Sequence, residues 1–125
     1  MRLLLDSNAF IWAYARPTEL SAAARRAIGD PANDRFLSIA SLWEIAIKIS
    51  NGKLVLIGDL ADAINDIMAT SLPITLAHLA RLQTLPFHHR NPFDRMLIAQ
   101  AMEEGLTIVT RDSWFPAYGV PMLVA

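Results

Sequence analysis

The sequence predicts an α/β protein, a three-layer α/β/α fold around a central, mostly parallel sheet. Leu3, Leu4 and Leu5 are apolar without alternation, as suits a strand covered on both faces, and the run stops abruptly at Asp6. A second strongly β-like run, Leu106 to Thr110, ends in the same way at Arg111-Asp112. Between these two runs, helix-compatible stretches alternate with short extended ones. That alternation places helices on both faces of a parallel sheet.

Taken in order, the strand ending at Asp6 feeds a short helix over Ala9 to Ala15, closed by Arg16-Pro17. Ser21 is a helix cap for a segment running to Ile28, which Gly29-Asp30-Pro31 ends. Arg35 to Ser38 reads as a brief strand. Ser41 to Ser50 reads as a helix apolar on nearly all sides, expected to be buried or to form part of an oligomer interface. Asn51-Gly52 stops it. Asp59 to Thr70 is amphipathic, with Asp59, Asp62 and Asp66 on a solvated face. Leu72 to Ile74 is extended, Ala77 to Leu82 a short helix, and Pro86 to Asn91 a polar loop. Pro92 opens a helix over Phe93 to Glu104 that Gly105 ends, and Val120 to Val124 forms a last strand.

With 125 residues, positions 1–125 fit one compact domain. Hydrophobic residues make up 54% of the chain, yet no apolar run approaches the roughly 20 residues of a membrane span. The surplus therefore belongs to a core or to an interface with another chain. No basic segment followed by a long apolar one opens the sequence, and there are no cysteines, so we expect a soluble cytoplasmic protein without disulfides or thiolate metal sites. The net charge of −1 advertises no nucleic-acid partner. Any anion must be held by a local patch, and His88, His89, Arg90, Arg95 and Arg111 supply one candidate.

Four acids stand out by position. Asp6 and Asp112 follow strands that a parallel sheet would end at one edge, while Glu44 and Asp94 lie near helix N-termini, which face that same edge. Clustered carboxylates repel and are pushed toward protonation unless a cation neutralises them, and hard oxygen donors suit Mg²⁺ or a similar ion. Each acid also has a structural explanation. Ser41-Leu-Trp-Glu44 fits a capping box, Asn91-Pro-Phe-Asp94 places an acid after a cap, Glu44 can pair with Lys48, and Asp6 and Asp112 suit strand-end turns. Convergence of all four on one edge favours the site. The other eight acids lie in turns, on polar faces or at helix ends.

The ordered segments LLLDSNAFIW, SIASLWEIAIKISNGKL, LPFHHRNPFDRMLIAQA and LTIVTRDSWFPAYGVPML resemble a PIN domain, most closely the VapC-type toxins of toxin–antitoxin pairs. The resemblance spans nearly the whole chain. It implies a four-acid site of Asp6, Glu44, Asp94 and Asp112 that binds Mg²⁺ or Mn²⁺ for endoribonuclease cleavage. It also implies a small cognate antitoxin that covers the acidic cleft. Ser7 stands where such domains often carry Thr, and Asn91 where they often carry Asp.

The activity expected is hydrolysis of RNA phosphodiesters. Asp6, Asp94 and Asp112 would hold the ion, Glu44 would complete its shell or orient a water, and Ser7, Asn8 and Thr110 would fix the carboxylates. Lys48, Arg90, Arg95 and Arg111 are candidates for contacts to the RNA backbone, or else ordinary surface charge. His88 and His89, adjacent in a polar loop, are placed outside the catalytic set. Trp12, Tyr14, Trp43, Met68 and Trp114 are expected in the core or at a homodimer interface. Two rivals remain: a non-catalytic scaffold that keeps the fold, and a phosphatase using Asp6 as nucleophile. Such phosphatases need a second acid two residues on, where this chain has Asn8.

Overall fold

A computed structural model describes residues 1–125. The elements run β1 (Arg2–Leu5), α1 (Ser7–Ala15), α2 (Ala22–Gly29), β2 (Asp34–Ser38), α3 (Ile39–Ser50), α4 (Leu60–Asp66), β3 (Thr70–Leu72), α5 (Leu76–Thr84), α6 (Pro92–Glu104), β4 (Thr107–Thr110) and β5 (Met122–Val124). The strands form one sheet in the order β3-β2-β1-β4-β5, and every neighbouring pair is parallel. The sheet is thus wholly parallel, where the sequence predicted a mostly parallel one.

Burial on both faces follows from the pleat. Successive side chains of a strand point to opposite sides. Leu3 and Leu5 accordingly pack with Phe10, Ile28, Leu37 and Ile45 on the face covered by α1 to α4. Leu4 packs on the other face with Leu97, Ile98 and Phe115, under α5 and α6. The same alternation divides Ile108 from Val109 in β4. All three leucines of β1 are fully buried, which explains the unbroken apolar run.

Strand order also determines where a ligand can bind. From β1 the chain winds outward to β2 and β3, then crosses back to place β4 and β5 on the other side. The winding reverses between β1 and β4. Ligands of open parallel sheets sit outside the strand C-termini at such a reversal, and Asp6 and Asp112 flank it.

One local expectation is corrected. Ser41 does not cap α3; the helix starts earlier, and Ser38 Oγ accepts the Ala40 N–H at 3.0 Å. Ser41 Oγ is buried with no hydrogen-bond partner. Replacing Ser38 by Ala should cost about 1 kcal/mol in urea unfolding. The same change at Ser41 should be neutral or stabilising, because it removes a buried hydroxyl that satisfies nothing.

Of the two alternatives for α3, burial on all sides does not hold, and the oligomer-interface alternative is left for its outer face. Ile45 faces the core, but Trp43 is 61% exposed and Ile39, Ile47 and Ile49 lie outside with it. Met68 and Trp114 are likewise exposed, so the core does not claim them, whereas Trp12 and Tyr14 pack against it. No helix is long and apolar enough to cross a membrane.

Candidate metal centre

Asp6 is the first residue past β1 and serves two purposes at once. Its Oδ1 accepts the Ala9 N–H at 2.8 Å, capping α1, while its Oδ2 accepts the Thr110 hydroxyl at 2.6 Å. The cap and site readings of Asp6 are therefore compatible. Thr110 Oγ1 in turn accepts the Asp112 N–H at 3.1 Å, so one buried hydroxyl ties the ends of β1 and β4 together. Asp112 Oδ1 accepts the Trp114 N–H at 2.8 Å, an Asx turn that leads the chain out of the sheet.

Glu44 reaches the same place from α3. With Ser38 as the cap, it is free of the capping-box role, and its Oε1 instead accepts the Ser7 hydroxyl. Lys48 Nζ stands 4.0 Å from Oε2. Asp94 comes from the first turn of α6, where Asn91 Oδ1 caps the helix by accepting the Phe93 and Asp94 N–H groups at 2.9 and 3.3 Å. The Asp94 carboxylate does not return that bond. It faces the cleft.

All four acids line one cleft of about 380 Å³, together with Ser7, Asn8, Lys48 and Arg111. Electrostatics follow from the crowding. Burial pushes the Asp6 carboxyl up; hydrogen bonds from Thr110 and Ala9 oppose the rise, and the charges of Glu44 and Asp112 add to it. Burial likewise pushes Asp94 up to about 7, His89 opposing and Glu44, Asp6 and Asp112 reinforcing. Such a site holds more negative charge than its own cations neutralise. A divalent ion bound by hard oxygen donors fits it.

His89, which sequence reasoning placed outside the catalytic set, stands against two of the four acids. Its Nε2 lies 2.8 Å from Asp112 Oδ2 and 3.0 Å from Asp94 Oδ2, and the three residues offer ligand atoms within 4.8 Å of one another. Its nearness in sequence to Asp94 was the one available signal, and the loop's polarity obscured it. His88 stays outside, edge-on to Tyr118.

Arg95 is the opposite correction. Proposed as a contact to RNA, it is 6% exposed, and its guanidinium donates to the carbonyls of Pro86 and Leu85 at 2.8 and 3.3 Å with the Phe87 ring 4.1 Å away. Helix periodicity turns it inward while its neighbour Asp94 faces the cleft. Arg90 is exposed on the adjoining loop, and Arg111 lies over Trp12 while donating to the carbonyl of Ala125.

The family model described as the PIN domain matches residues 3–120, almost the full length of the chain. The chain belongs to the PIN domain family. Among solved structures, this PIN domain is similar to VapBC2 from Rickettsia felis bound to a DNA fragment from their promoter, with a TM-score of 0.70, 12% identity and 98% of each chain covered. It is also similar to FitAB bound to the IR36 DNA fragment, with a TM-score of 0.67 and 20% identity over 97% of this chain and 93% of that one. FitAcB from Neisseria gonorrhoeae matches with a TM-score of 0.64 and 20% identity, over 98% and 96% of the two chains. At these identities the likeness is one of fold. No curated protein matches the sequence.

Proposed function

We propose that this PIN domain is a Mg²⁺- or Mn²⁺-dependent endoribonuclease and the toxin of a toxin–antitoxin pair. The observation that carries the reading is the meeting of Asp6, Glu44, Asp94 and Asp112 in one cleft at the β1/β4 reversal, two of them with carboxyls raised first by burial and further by the neighbouring carboxylates. Asp6, Asp94 and Asp112 would hold the ion, with Glu44 beside them. When bound, the ion supplies Lewis acidity toward water and neutralises charge on the phosphoryl oxygens.

The chain's own groups prepare the rest. Thr110 and Ser7 keep one oxygen each of Asp6 and Glu44 engaged, so the remaining lone pairs point in defined directions. Lys48, Arg90 and Arg111, at or beside the cleft, would receive the RNA backbone. A Mg²⁺-dependent cleavage of structured RNA that EDTA removes, and that Asp6→Asn also removes, is the expected result. Cleavage persisting in that variant would reassign the site. A wild-type protein that binds no divalent ion by calorimetry would favour the non-catalytic scaffold.

The toxin assignment is supported by the family resemblance and by similarity in fold to chains of VapBC and FitAB assemblies. A small antitoxin, and a homodimer using the exposed face of α3, account for the apolar surplus. Expression should arrest growth in a way that a co-expressed neighbouring small protein relieves. Unimpeded growth with soluble, active nuclease would remove the toxin role and leave the enzyme.

A further inference from the structure

Each acid of the cleft except one has a donor from the body of the fold. Asp6 has Ala9 N–H and the Thr110 hydroxyl, Glu44 has the Ser7 hydroxyl, and Asp112 has the Trp114 N–H. For the Asp94 carboxylate the only polar side chain in reach is His89, whose Nε2 stands 3.0 Å from its Oδ2. The same nitrogen donates to Asp112 Oδ2 at 2.8 Å.

The other ring nitrogen decides what His89 can do. Nδ1 accepts the Asn91 backbone N–H at 3.2 Å, so it presents a lone pair there and the ring proton resides on Nε2. A protonated Nε2 has no lone pair for a metal. The loop carrying the ring is itself anchored: the His89 N–H donates to Tyr118 Oη at 2.8 Å, the ring stands edge-on to Phe115, and buried Arg95 holds the Leu85 and Pro86 carbonyls.

From this geometry we infer that His89 is a positioning residue for the metal centre. Its Nε2–H donates to Asp112 and the same nitrogen stands 3.0 Å from Asp94, so the ring sits between two carboxylates that arrive from different elements and spaces them without ligating the ion. The inference rests on the divalent-cation reading above. It differs from a ligand role, in which Nε2 would bind the metal directly, and from a competing role, in which the ring would have to leave.

Two variants separate the two hydrogen bonds of the ring. His89→Asn keeps an acceptor near the Nδ1 position and lacks the Nε2 donor; His89→Gln keeps a donor at the Nε2 distance and lacks the Nδ1 acceptor. Mn²⁺ affinity is measured by calorimetry on the intact protein, with melting in EDTA to establish folding. The Asn variant should bind Mn²⁺ about 10–100-fold more weakly, and the Gln variant should return to within about threefold of wild type. Paramagnetic resonance of bound Mn²⁺, with histidine carrying the heavy nitrogen isotope, should show no coupling to that nitrogen.

Unchanged or tighter Mn²⁺ binding in His89→Asn overturns the inference, and so does equal weakening in a folded His89→Gln. Nitrogen coupling in the wild type overturns it independently of how either variant folds, because it makes His89 a ligand. A wild-type protein that takes up no Mn²⁺ overturns the cation reading and this inference together, whereas normal wild-type binding with an unaffected Asn variant overturns the role of His89 alone.

Discussion

Asp94→Asn should abolish divalent-dependent RNA cleavage, by a factor of about a thousand or more, and in the same protein stabilise the cation-free fold above neutral pH. Burial raises this carboxyl to about 7 in the folded protein, and the charges of Glu44, Asp6 and Asp112 support the rise against His89. An unfolded chain returns it to about 3.9. The fold therefore holds the proton more tightly than the unfolded chain does. The stability this confers is fully present below the unfolded value and is lost as pH rises through the folded one.

At pH 8 the wild type carries a half-buried charge, crowded by three other carboxylates, that Asn does not. We expect the variant to be more stable there by about 4 kcal/mol, or roughly 10–20 °C in melting temperature, with the difference vanishing near pH 4. Saturating Mn²⁺ should raise the wild type's melting temperature far more than the variant's. Melts of both proteins in EDTA at the two pH values decide the matter. An equal difference at both would mean that folding does not raise the Asp94 carboxyl.

Arg95→Ala should be the most destabilising change among the basic residues, by about 3 kcal/mol in urea unfolding. The side chain is buried, its donors serve the Leu85 and Pro86 carbonyls, and its guanidinium lies over Phe87. Removing it leaves the carbonyl of buried Leu85 without that donor and opens space beneath the loop. Lys would not substitute, since a single ammonium cannot reproduce the planar fork. Because this loop carries His89, Mn²⁺ affinity should fall as well. Arg90→Ala, on the exposed side of the same loop, should leave stability unchanged and weaken RNA binding with a reduced salt dependence. Equal stability of the two alanine variants would return Arg95 to the surface.

These two arginines show where reading the chain stops. Arg90 and Arg95 belong to one basic cluster, and composition does not separate a solvent-facing residue from an anchor. The loop's path does, by placing Pro86 and Tyr118 beside the guanidinium. His89 comes to stand against the acids for the same reason: its partners Asp112 and Tyr118 lie more than twenty residues away in the chain. The Ser38 and Ser41 caps differ by a single turn, and only the end of β2 decides which hydroxyl meets the first free N–H.

What the sequence determined by itself was the alternation of strands and helices and the arrival of four acids at one edge. Those features are written in local terms. An unbroken apolar run means a strand buried on both faces, Pro92 and Gly105 bound a helix, and a carboxylate directly after a strand must emerge at its C-terminal end. The tertiary structure alone decided the order of the strands, the inward turn of Arg95, the exposure of Trp43 and the approach of His89 to Asp94 and Asp112. Each of these depends on contacts between segments distant in sequence, where burial and hydrogen-bond partners are assigned by packing rather than by propensity.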